Sequence, residues 1–468
     1  MPQDKFDYDL ICIGSGPSGQ RAAVQAAKLG YRVAVIDRER MVGGCCLYTG
    51  TIPSKTFREA VISHTGYGRR FIPDMGRTTG VKATAASLLE GVGDVIEREA
   101  DVVAAQLHRN DVAMVRGTAH FKDAHTIEVV SEHDVQTVTS ERFLIAVGTI
   151  PAPVPTPGLD PEIVTTSDGI LTMKRLPRTM AVVGAGVIGI EYASIFAAVG
   201  VEVTVIDRRD RVLDFIDHEI SDELVHRMRR MNVTFRLDES VADIQVAEQQ
   251  NRKRGVVTLE SGKRVVSDMV LYCIGRIGAT SALNLEAAGL RADDRGRIVV
   301  NADFQTEVPN IYAAGDVIGY PSLAATSSEQ GRLAACHAFG VVARPMGEHF
   351  PIGIYAVPEL SMVGKTENQL TAAKVPYEVG IAQYREIARG QILGDEDGML
   401  KMLFHRQTRA LLGVHAIGSG ATELIHIGQA VMHLGGGLDY FLNTVFNYPT
   451  LAECYKVAAL DAQNKLAI

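Results

Sequence analysis

The sequence predicts an α/β fold that contains two similar strand–turn–helix–strand units. The pattern G-x-G-x-x-G occurs at Gly14–Gly19 and again at Gly184–Gly189, an offset of 170 residues. The same offset relates residues that follow the two patterns, namely Gly30 to Gly200 and Asp37 to Asp207. The chain of 468 residues is long enough for about three domains, so two copies of one unit fit within it.

The sequence around each glycine pattern predicts the same succession of elements. An apolar stretch before the glycines is typical of a buried strand, an alanine-rich stretch after them is typical of a helix, and a second apolar stretch ends in an aspartate. The predicted first strands are Tyr8–Ile13 and Thr179–Val183, the helices Gln20–Leu29 and Ile190–Val199, and the second strands Arg32–Asp37 and Glu202–Asp207. Each unit is therefore predicted to be a βαβ unit of the Rossmann type.

These units have the chemistry that binds a dinucleotide. Glycines let the backbone approach a pyrophosphate, the helix N-terminus offers N–H groups to the anion, and an acid about 20 residues on accepts hydrogen bonds from ribose. The candidate binding residues are Gly14, Gly16, Gly19 and Asp37 in the first unit, and Gly184, Gly186, Gly189 and Asp207 in the second. Two purely structural units would have no reason to repeat this spacing. The sequence therefore indicates two dinucleotides, or one dinucleotide and one flavin dinucleotide.

The composition argues against several other classes of protein. Hydrophobic residues make up 46% and charged residues 22%, an ordinary globular balance. The net charge of −8 does not favour a nucleic acid or an anionic membrane as partner. The apolar region Met180–Ile206 contains Glu191 and spaced glycines, so it fits a buried βαβ unit better than a membrane span.

Targeting and metal-binding signals are not visible in the sequence. The first residues show no basic segment followed by an apolar one, and the six cysteines are scattered, so we expect a cytoplasmic protein without a disulphide scaffold. Four histidines near the C-terminus lack the spacing of metal ligands, and surface or interface packing is the expectation for them. They are His405, His415, His426 and His433. No metal site is predicted.

Further segments are typical of one enzyme family. Residues 143–149 (FLIAVGT) resemble the crossover into its nicotinamide domain, residues 306–316, which end in YAAGD, resemble its second FAD motif, and the chain from about Gly347 resembles its dimerisation domain. The sequence thus resembles the pyridine nucleotide–disulphide oxidoreductases, the family of glutathione reductase and dihydrolipoamide dehydrogenase, over nearly its whole length. The resemblance implies that residues 1–147 and 276–346 bind FAD and that residues 148–275 bind NAD(P). It also implies that residues 347–468 form an α+β dimerisation domain, in a homodimer or a higher homo-oligomer.

The chain departs from this family at the redox-active disulphide. The family pattern G-G-x-C-x-x-x-x-C-x-P-S-K corresponds here to Gly43–Lys55, in which Cys46 holds the first cysteine position and Thr51 the second. A hydroxyl cannot form a disulphide, so the dithiol relay is predicted to be absent. Cys45 is a poor substitute because the side chains of adjacent residues usually diverge, while the sequence leaves a role for Cys454 open.

A second departure lies in the C-terminal motif. The family pattern H-x-H-P-T-x-x-E corresponds to Phe446–Glu453, where Tyr448 replaces the histidine that serves the family as acid/base and Glu453 is retained. A tyrosine with a pKa of ~10 does not readily cycle a proton at neutral pH. The thiol chemistry therefore lacks both its second sulfur and its proton acceptor, whereas both nucleotide motifs are kept.

Hydride transfer between a nicotinamide and a flavin needs neither group, because the cofactors carry the chemistry and the protein positions them. Residues 50–55, 315–324 and 446–450 resemble the soluble transhydrogenase branch of the family. The resemblance implies a Si-specific, FAD-dependent NAD(P)⁺ transhydrogenase that passes hydride reversibly from NADPH to NAD⁺. Two alternatives stay open: an FAD-dependent NAD(P)H–quinone reductase or diaphorase, and a flavin-binding redox sensor without turnover.

The resemblance also implies roles for individual residues. Lys55 and Glu191 are the candidate catalytic residues, because in the family they pair near flavin N5, where a cation favours the reduced flavin and the glutamate positions the nicotinamide. An ordinary salt bridge between domains is the alternative. The remaining candidate cofactor-binding residues are Arg38, Gly43, Gly44, Cys46, Ala119, Gly148, Gly275, Asp316 and Ala324.

Nucleotide choice is predicted to lie in the loop Asp207–Arg211, which reads DRRDR. An aspartate suits the ribose 2′-hydroxyl of NAD, and arginines suit the 2′-phosphate of NADP because they grip it with paired donors. A site visited by both nucleotides could need both residue types. We expect Arg208 and Arg209 to favour NADPH; a solvated run of charges is the alternative.

Overall fold

The computed structural model describes residues 5–38, 42–66, 83–249 and 252–466. The chain divides into two compact units, each assembled from three segments. The first unit comprises Met1–Thr56, Glu90–Pro153 and Gly275–Met346, and the second comprises Phe57–Leu89, Val154–Ile274 and Gly347–Ile468. Among the described helices, none combines the length and the apolar character that a membrane-spanning segment needs.

Strands and helices alternate through most of the chain. The strands, in chain order, are β1 (Tyr8–Ile13), β2 (Val33–Asp37), β3 (Ala113–Arg116), β4 (Thr118–Phe121), β5 (Thr126–Val130), β6 (Val135–Ile145), β7 (Thr149–Pro151), β8 (Val164–Thr165), β9 (Thr179–Val183), β10 (Glu202–Ile206), β11 (Val233–Arg236), β12 (Val241–Gln249), β13 (Arg252–Leu259), β14 (Arg264–Ser267), β15 (Met269–Tyr272), β16 (Arg276–Gly278), β17 (Ile311–Ala313), β18 (Ile352–Ile354), β19 (Leu360–Gly364), β20 (Tyr377–Gln383), β21 (Met399–His405) and β22 (Leu411–Ile417).

The α-helices, in the same order, are α1 (Pro17–Lys28), α2 (Gly44–Tyr48), α3 (Thr51–Thr65), α4 (Ala85–His108), α5 (Val187–Ala198), α6 (His218–Arg230), α7 (Ala324–Ala338), α8 (Glu367–Ala372), α9 (Ala388–Leu393), α10 (Ala421–His433), α11 (Leu438–Asn443) and α12 (Glu453–Leu466). Short 3₁₀ turns occur at Ile170–Thr172, Leu285–Ala288, Asp316–Ile318 and Tyr384–Glu386.

The first unit is built on a sheet with the strand order β3-β2-β1-β6-β5-β4, and β17 also pairs with β6. The pairs among β1, β2, β3, β6 and β17 are parallel, and those of β4 and β5 are antiparallel. Alternate residues of β1 fill two different hydrophobic cores. Ile11 and Ile13 belong to one, and Leu10 and Cys12 to the other. Because successive side chains of a strand point to opposite faces, β1 is buried on both sides.

The second unit holds three sheets. A parallel sheet has the order β11-β10-β9-β15-β8, an antiparallel one the order β12-β13-β14, and a second antiparallel one the order β18-β19-β22-β21-β20. Helices α10 and α12 pack on the last of these sheets, and their shared core includes the large side chains of Tyr384, Phe404 and Tyr455. The prediction of two Rossmann-like units and a C-terminal α+β domain is confirmed.

The two βαβ units agree in detail. Helices α1 and α5 are both 12 residues long, and each end is shifted by the same 170 residues as the glycines. Strand register follows the same shift, since Ile13 pairs with Ile36 and Val183 pairs with Ile206. Both helices begin three residues before their predicted starts, because the last glycine of each pattern lies in the first helical turn.

An ion cluster around the buried Lys401 connects three elements of the second unit. The fully buried ammonium group of Lys401, in β21, donates to Asp217 and Glu219 at 2.8 Å each, and also to Glu367. Asp217 caps α6 and accepts the main-chain N–H of Glu367, the first residue of α8, at 3.1 Å.

His415 lies opposite Lys401 on β22 and is buried within the chain, so its predicted place at the surface or an interface is wrong. Burial lowers the pKa of His415.

Candidate functional site

The first glycine pattern forms a tight turn between β1 and α1. Gly14 has a positive φ of 106°, and a Cβ there would lie 2.4 Å from the carbonyl oxygen of Ala146. A Cβ at Gly19 would lie 1.9 Å from the carbonyl oxygen of Gly14, so the fold itself closes both positions to a side chain. A Cβ at Gly16 would meet no described atom within 4 Å. The turn thus leaves open space at the N-terminus of α1, where the pyrophosphate of a dinucleotide binds in such units.

The second glycine pattern repeats this arrangement between β9 and α5. A Cβ at Gly184 would lie 2.5 Å from the carbonyl oxygen of Cys273, and one at Gly189 would lie 1.9 Å from that of Gly184. At Gly186, the described atom within 4 Å of an added Cβ is the Nη2 atom of Arg209, at 4.0 Å. The middle position is again open, and here an arginine lies beside it.

The acid at the end of each second strand is turned toward its glycine pattern. Oδ2 of Asp37 accepts the N–H of Ser15 at 2.7 Å and its hydroxyl at 2.5 Å. The equivalent bond in the second unit joins the N–H of Ala185 to Oδ2 of Asp207 at 2.6 Å. Each carboxylate is therefore fixed at the mouth of its turn, as a ribose-binding acid requires.

Asp207 also binds the side chain of Arg209. The guanidinium donates through Nε to Oδ1 at 2.9 Å and through Nη2 to Oδ2 at 2.8 Å, and it reaches Asp214 through Nη1 at 3.0 Å. Burial opposes ionisation of Asp207, but these hydrogen bonds outweigh it and hold the pKa of the carboxyl below its usual value. Arg208 is exposed, as is Arg38 next to Asp37 in the first unit. The two arginines of the DRRDR loop thus differ in their surroundings.

The cysteine segment places a hydroxyl beside Cys46. Gly43 precedes the short helix α2, which contains Gly44, Cys45 and Cys46, and Thr51 begins α3. Burial raises the pKa of the Cys46 thiol and outweighs the opposing effect of the nearby Thr51 side chain. All six cysteines lie in the described part of the chain, and none forms a disulphide. Cys46 is therefore an uncharged thiol at neutral pH, with a hydroxyl where the family carries a second sulfur.

Charged groups of the first unit gather around this thiol. Lys55 and Asp316 both interact electrostatically with Cys46. Asp316 accepts the hydroxyl of Ser327 at 3.2 Å, and burial raises the pKa of its carboxyl although Arg276 lies near. The structure thus brings together three residues that the sequence analysis selected from distant parts of the chain.

Arg276 and Cys45 form a contact that the sequence analysis missed. Nη2 of Arg276 lies 3.1 Å from Sγ of Cys45 and 2.8 Å from the carbonyl oxygen of Thr149. Cys45 is exposed, and its sulfur also lies 3.1 Å from the hydroxyl of Thr49. These residues are up to 231 positions apart, and no local pattern in the sequence signals the contact.

The other predicted cofactor-binding residues of the first unit have varied settings. Ala119 is buried in the core on β4, and Ala324 is the first residue of α7. Gly148 and Gly275 flank the pair formed by β7 and β16, where their carbonyl oxygens accept the N–H groups of Ala279 and Ala152 at 3.1 and 3.0 Å. Their contact with a cofactor stays a prediction.

Glu191 is a buried carboxylate held by main-chain groups of the second unit. It lies on α5, and its Oε1 accepts the N–H of Tyr355 at 2.8 Å. One turn further along, the hydroxyl of Ser194 donates to the carbonyl oxygen of Glu191 and accepts the N–H of Val357. Tyr355 was not selected from the sequence, because a main-chain donor leaves no side-chain signal. The pairing of Glu191 with Lys55 stays a prediction.

In the C-terminal segment, Tyr448 is exposed to solvent and Cys454 is buried. Tyr448 is 69% exposed, and Glu453 begins α12. Cys454 is fully buried in the core that α12 shares with its sheet, and burial raises its pKa to about 12. The structure therefore makes Cys454 a core residue, which resolves a question that the sequence left open.

Comparisons with known proteins cover almost the whole chain. A family described as "Pyridine nucleotide-disulphide oxidoreductase" matches residues 8–331, and its "dimerisation domain" matches residues 350–459. Three similar curated proteins are named "Soluble pyridine nucleotide transhydrogenase". The Mycobacterium bovis protein is 52% identical over 98% of both chains. The Klebsiella pneumoniae protein is 46% identical over 98% of this chain and 99% of its own, and the Vibrio cholerae protein 43% identical over 99% of both.

Two solved structures have a similar fold over almost the whole chain. The HOCl-induced flavoprotein disulfide reductase RclA from Escherichia coli has a TM-score of 0.86 and 27% identity, and covers 97% of this chain and 99% of its own. LpdA from Mycobacterium tuberculosis has a TM-score of 0.88 and 26% identity, over 96% of this chain and 99% of its own.

Proposed function

Because the chain belongs to the pyridine nucleotide-disulphide oxidoreductase family, we propose that it is an FAD-dependent NAD(P)⁺ transhydrogenase whose substrates are NADPH and NAD⁺. The observation that carries the proposal is the place of Thr51 beside Cys46, which leaves the disulphide chemistry of the family without its second sulfur. The name shared by curated relatives at 43–52% identity supports it.

FAD fits the first unit, where open space beside Gly16 meets the N-terminus of α1. We assign residues 1–147 and 276–346 to this cofactor, with Asp37 toward a ribose and Asp316 toward the ribityl chain. Bound FAD would supply the chemistry of reversible hydride transfer with nicotinamide nucleotides. The remaining candidates, from Arg38, Gly43 and Gly44 to Gly148 and Ala324, would line the cofactor.

The nicotinamide nucleotides are assigned to residues 148–275, where they would take turns at one site. The turn of Gly184, Gly186 and Gly189 would receive the pyrophosphate, and the loop after β10 would receive the adenine ribose. Glu191 would orient the nicotinamide amide, because Tyr355 already fixes one of its carboxylate oxygens. Lys55 would supply the positive charge that favours the reduced flavin.

Hydride transfer does not require a side chain to accept a proton. A hydride moves with its electron pair, so the site needs no thiolate and no histidine to receive a proton. The raised pKa keeps the Cys46 thiol protonated at neutral pH, so it adds no negative charge beside the flavin site. The exposed Tyr448 has no part in the transfer.

Stereochemistry, assembly and location complete the proposal. We assign Si-specific hydride transfer with respect to the nicotinamide ring, a homodimer or higher homo-oligomer formed through residues 347–468, and a cytoplasmic location. The match of residues 350–459 to a dimerisation domain supports the assembly.

Anaerobic mixing of NADPH with thio-NAD⁺ tests the function. We expect thio-NADH to form at a rate that depends on bound FAD, while lipoamide and oxidised glutathione stay inert as acceptors. Turnover of a quinone far above nicotinamide exchange would instead indicate the reductase alternative, and no turnover with either acceptor would indicate a sensor. Efficient reduction of a small disulphide would contradict the proposal.

A further inference from the structure

The carboxylate of Asp207 is fully used by the protein. A carboxylate has about four positions at which it accepts a hydrogen bond. At Oδ1 these are taken by N and Nε of Arg209, both at 2.9 Å, and at Oδ2 by N of Ala185 at 2.6 Å and Nη2 of Arg209 at 2.8 Å. A ribose hydroxyl therefore finds no vacant acceptor on Asp207 while Arg209 stays in place.

Arg209 has donors to spare and lies where the nucleotide arrives. Its guanidinium has five N–H groups, and three of them donate to Asp207 and Asp214. One N–H on each terminal nitrogen is left for a ligand. Nη2 lies beside the open middle glycine, Gly186, so the remaining donors are next to the phosphate-binding turn. The 2′ substituent of the nucleotide would thus meet Arg209 before Asp207.

The two acids that hold Arg209 are not equivalent. The side chain of Asp207 is 6% exposed and binds the guanidinium through two parallel bonds, whereas that of Asp214 is 50% exposed and binds it through one. An anionic ligand can therefore displace Asp214 from Nη1 more easily than it can displace Asp207. A 2′-phosphate would compete for this same nitrogen and would also be repelled by the Asp214 carboxylate.

We propose that Asp214 is a specificity-determining residue, which engages Nη1 of Arg209, one of the two nitrogens that a 2′-phosphate would use, and repels that phosphate, and so lowers the affinity for NADP(H) relative to NAD(H). The proposal rests on the proposed function, because it concerns the same nicotinamide site. A transhydrogenase must release each nucleotide to admit the other. An internal carboxylate that competes with the 2′-phosphate would keep NADP(H) exchangeable.

Isothermal titration of the holoenzyme with adenosine 2′,5′-bisphosphate and with 5′-AMP tests this role. For Asp214→Asn we expect the Kd of the bisphosphate to fall about threefold to fivefold, the upper part of the range for one exposed ion pair, and that of 5′-AMP to change less than twofold. Asp222→Asn is the matched control, since Asp222 pairs with the nearby Arg211 at 2.9 Å and brings the same change in charge. The control should leave the ratio of the two affinities unchanged, and added salt should shrink the Asp214 effect.

Three outcomes would overturn the role of Asp214: an unchanged ratio, an equal change in the Asp222 variant, or weaker binding of the bisphosphate. The last would mean that Asp214 aims Arg209 at the phosphate. Because titration measures binding and not hydride transfer, these outcomes leave the proposed function standing if thio-NADH still forms. Failure of the wild-type protein to bind the bisphosphate would also overturn the role of Asp214, whereas failure to form thio-NADH would overturn the proposed function.

Discussion

Asp37 accepts two hydrogen bonds from Ser15, one from its main-chain N–H at 2.7 Å and one from its hydroxyl at 2.5 Å. The same hydroxyl accepts the N–H of Gly43 at 2.9 Å, which ties the acid at the end of β2 to the start of the cysteine segment. The second unit has Ala185 at the position of Ser15 and keeps the main-chain bond to Asp207. The hydroxyl link therefore belongs to the half of the chain that we assign to FAD.

Replacement of Ser15 by alanine should weaken retention of FAD. The main-chain bond would still hold Asp37, but the variant would lose a bond to a charged group, a loss of about 1.5–3 kcal/mol, and would leave the N–H of Gly43 without its acceptor. We expect the Kd for FAD to rise about tenfold or more, measured by flavin fluorescence on dilution. Ser18→Ala is the control, because Ser18 donates to the carbonyl oxygen of Ala314 and not to Asp37. An equal rise in the Kd for FAD in both variants would show that the hydrogen bond between Ser15 and Asp37 does not specifically support FAD binding.

The variant Thr51→Cys should be able to form the disulphide that the chain lacks. The side chain of Thr51 is near enough to the Cys46 thiol to influence its pKa, so we expect a sulfur there to lie within reach of the other sulfur. After mild oxidation we expect titration to find two fewer free thiols than in the reduced variant. Thr56→Cys, further along α3, should show no such loss. Reductase activity should stay low because Tyr448 still holds the place of the acid/base.

Arginine substitutions after β10 should separate the two nucleotides. Arg209→Ala removes the bidentate partner of Asp207 and the donors beside Gly186, so we expect KM for NADPH to rise about tenfold or more, and KM for NADH to change much less. Arg208→Ala should change either value less than threefold, because this side chain is exposed. The double variant should resemble Arg209→Ala. An equal loss for NADPH and NADH would refute the assignment.

The buried ammonium group of Lys401 should be essential for stability. Lys401→Met leaves Asp217, Glu219 and Glu367 around an uncharged side chain, and breaking the buried pair with Asp217 in this way costs about 3–5 kcal/mol. Denaturant unfolding of the holoenzyme measures the loss. Lys263→Met is the control, since its pair with Glu239 is at the surface and should contribute less than about 1 kcal/mol.

Acid should affect the wild type and the Lys401 variant in opposite directions. Burial opposes ionisation of Asp217, but His415 and Lys401 outweigh it and hold its pKa below the ordinary 3.8. In the wild type this stabilisation is present above pH 3.8 and is lost as the pH falls through the folded-state pKa. In Lys401→Met the carboxylates repel one another, which raises their pKa values, so protonation should shrink the stability deficit between pH 7 and about 5. A constant deficit over that range would contradict this account.

The repeat and its chemistry could be predicted because they are local. Glycine spacing, strand-end acids and apolar stretches all lie within about 30 residues, the size of one βαβ unit. The ion cluster could not be predicted, because Lys401 lies 184 positions from Asp217 in the sequence. In the sequence alone, Lys401 is a charged residue with no visible partner. The predicted surface or interface place of His415 failed for the same reason, because burial in a sheet depends on which strands pair across the fold.

Within the candidate site, sequence reasoning found the residue types but not their partners. It selected Asp207 and Arg209 as opposing features, one for each nucleotide, whereas the structure joins them through two parallel bonds. Asp214 was overlooked, because an acid five positions beyond an arginine in an irregular loop has no periodic relation to it. Side-chain pairing in loops depends on backbone geometry that composition does not encode.

The outer and middle glycines of the two G-x-G-x-x-G patterns differ in how freely they could be replaced during evolution. Neighbouring backbone atoms leave no room for a side chain at Gly14, Gly19, Gly184 and Gly189. Selection for folding alone would therefore remove mutations at these positions. At 16 and 186 the surrounding atoms leave room for a methyl group. A descendant that no longer bound nucleotides would therefore be expected to lose these two glycines first. Descendants that keep both glycines would be those that still bind a nucleotide in each βαβ unit.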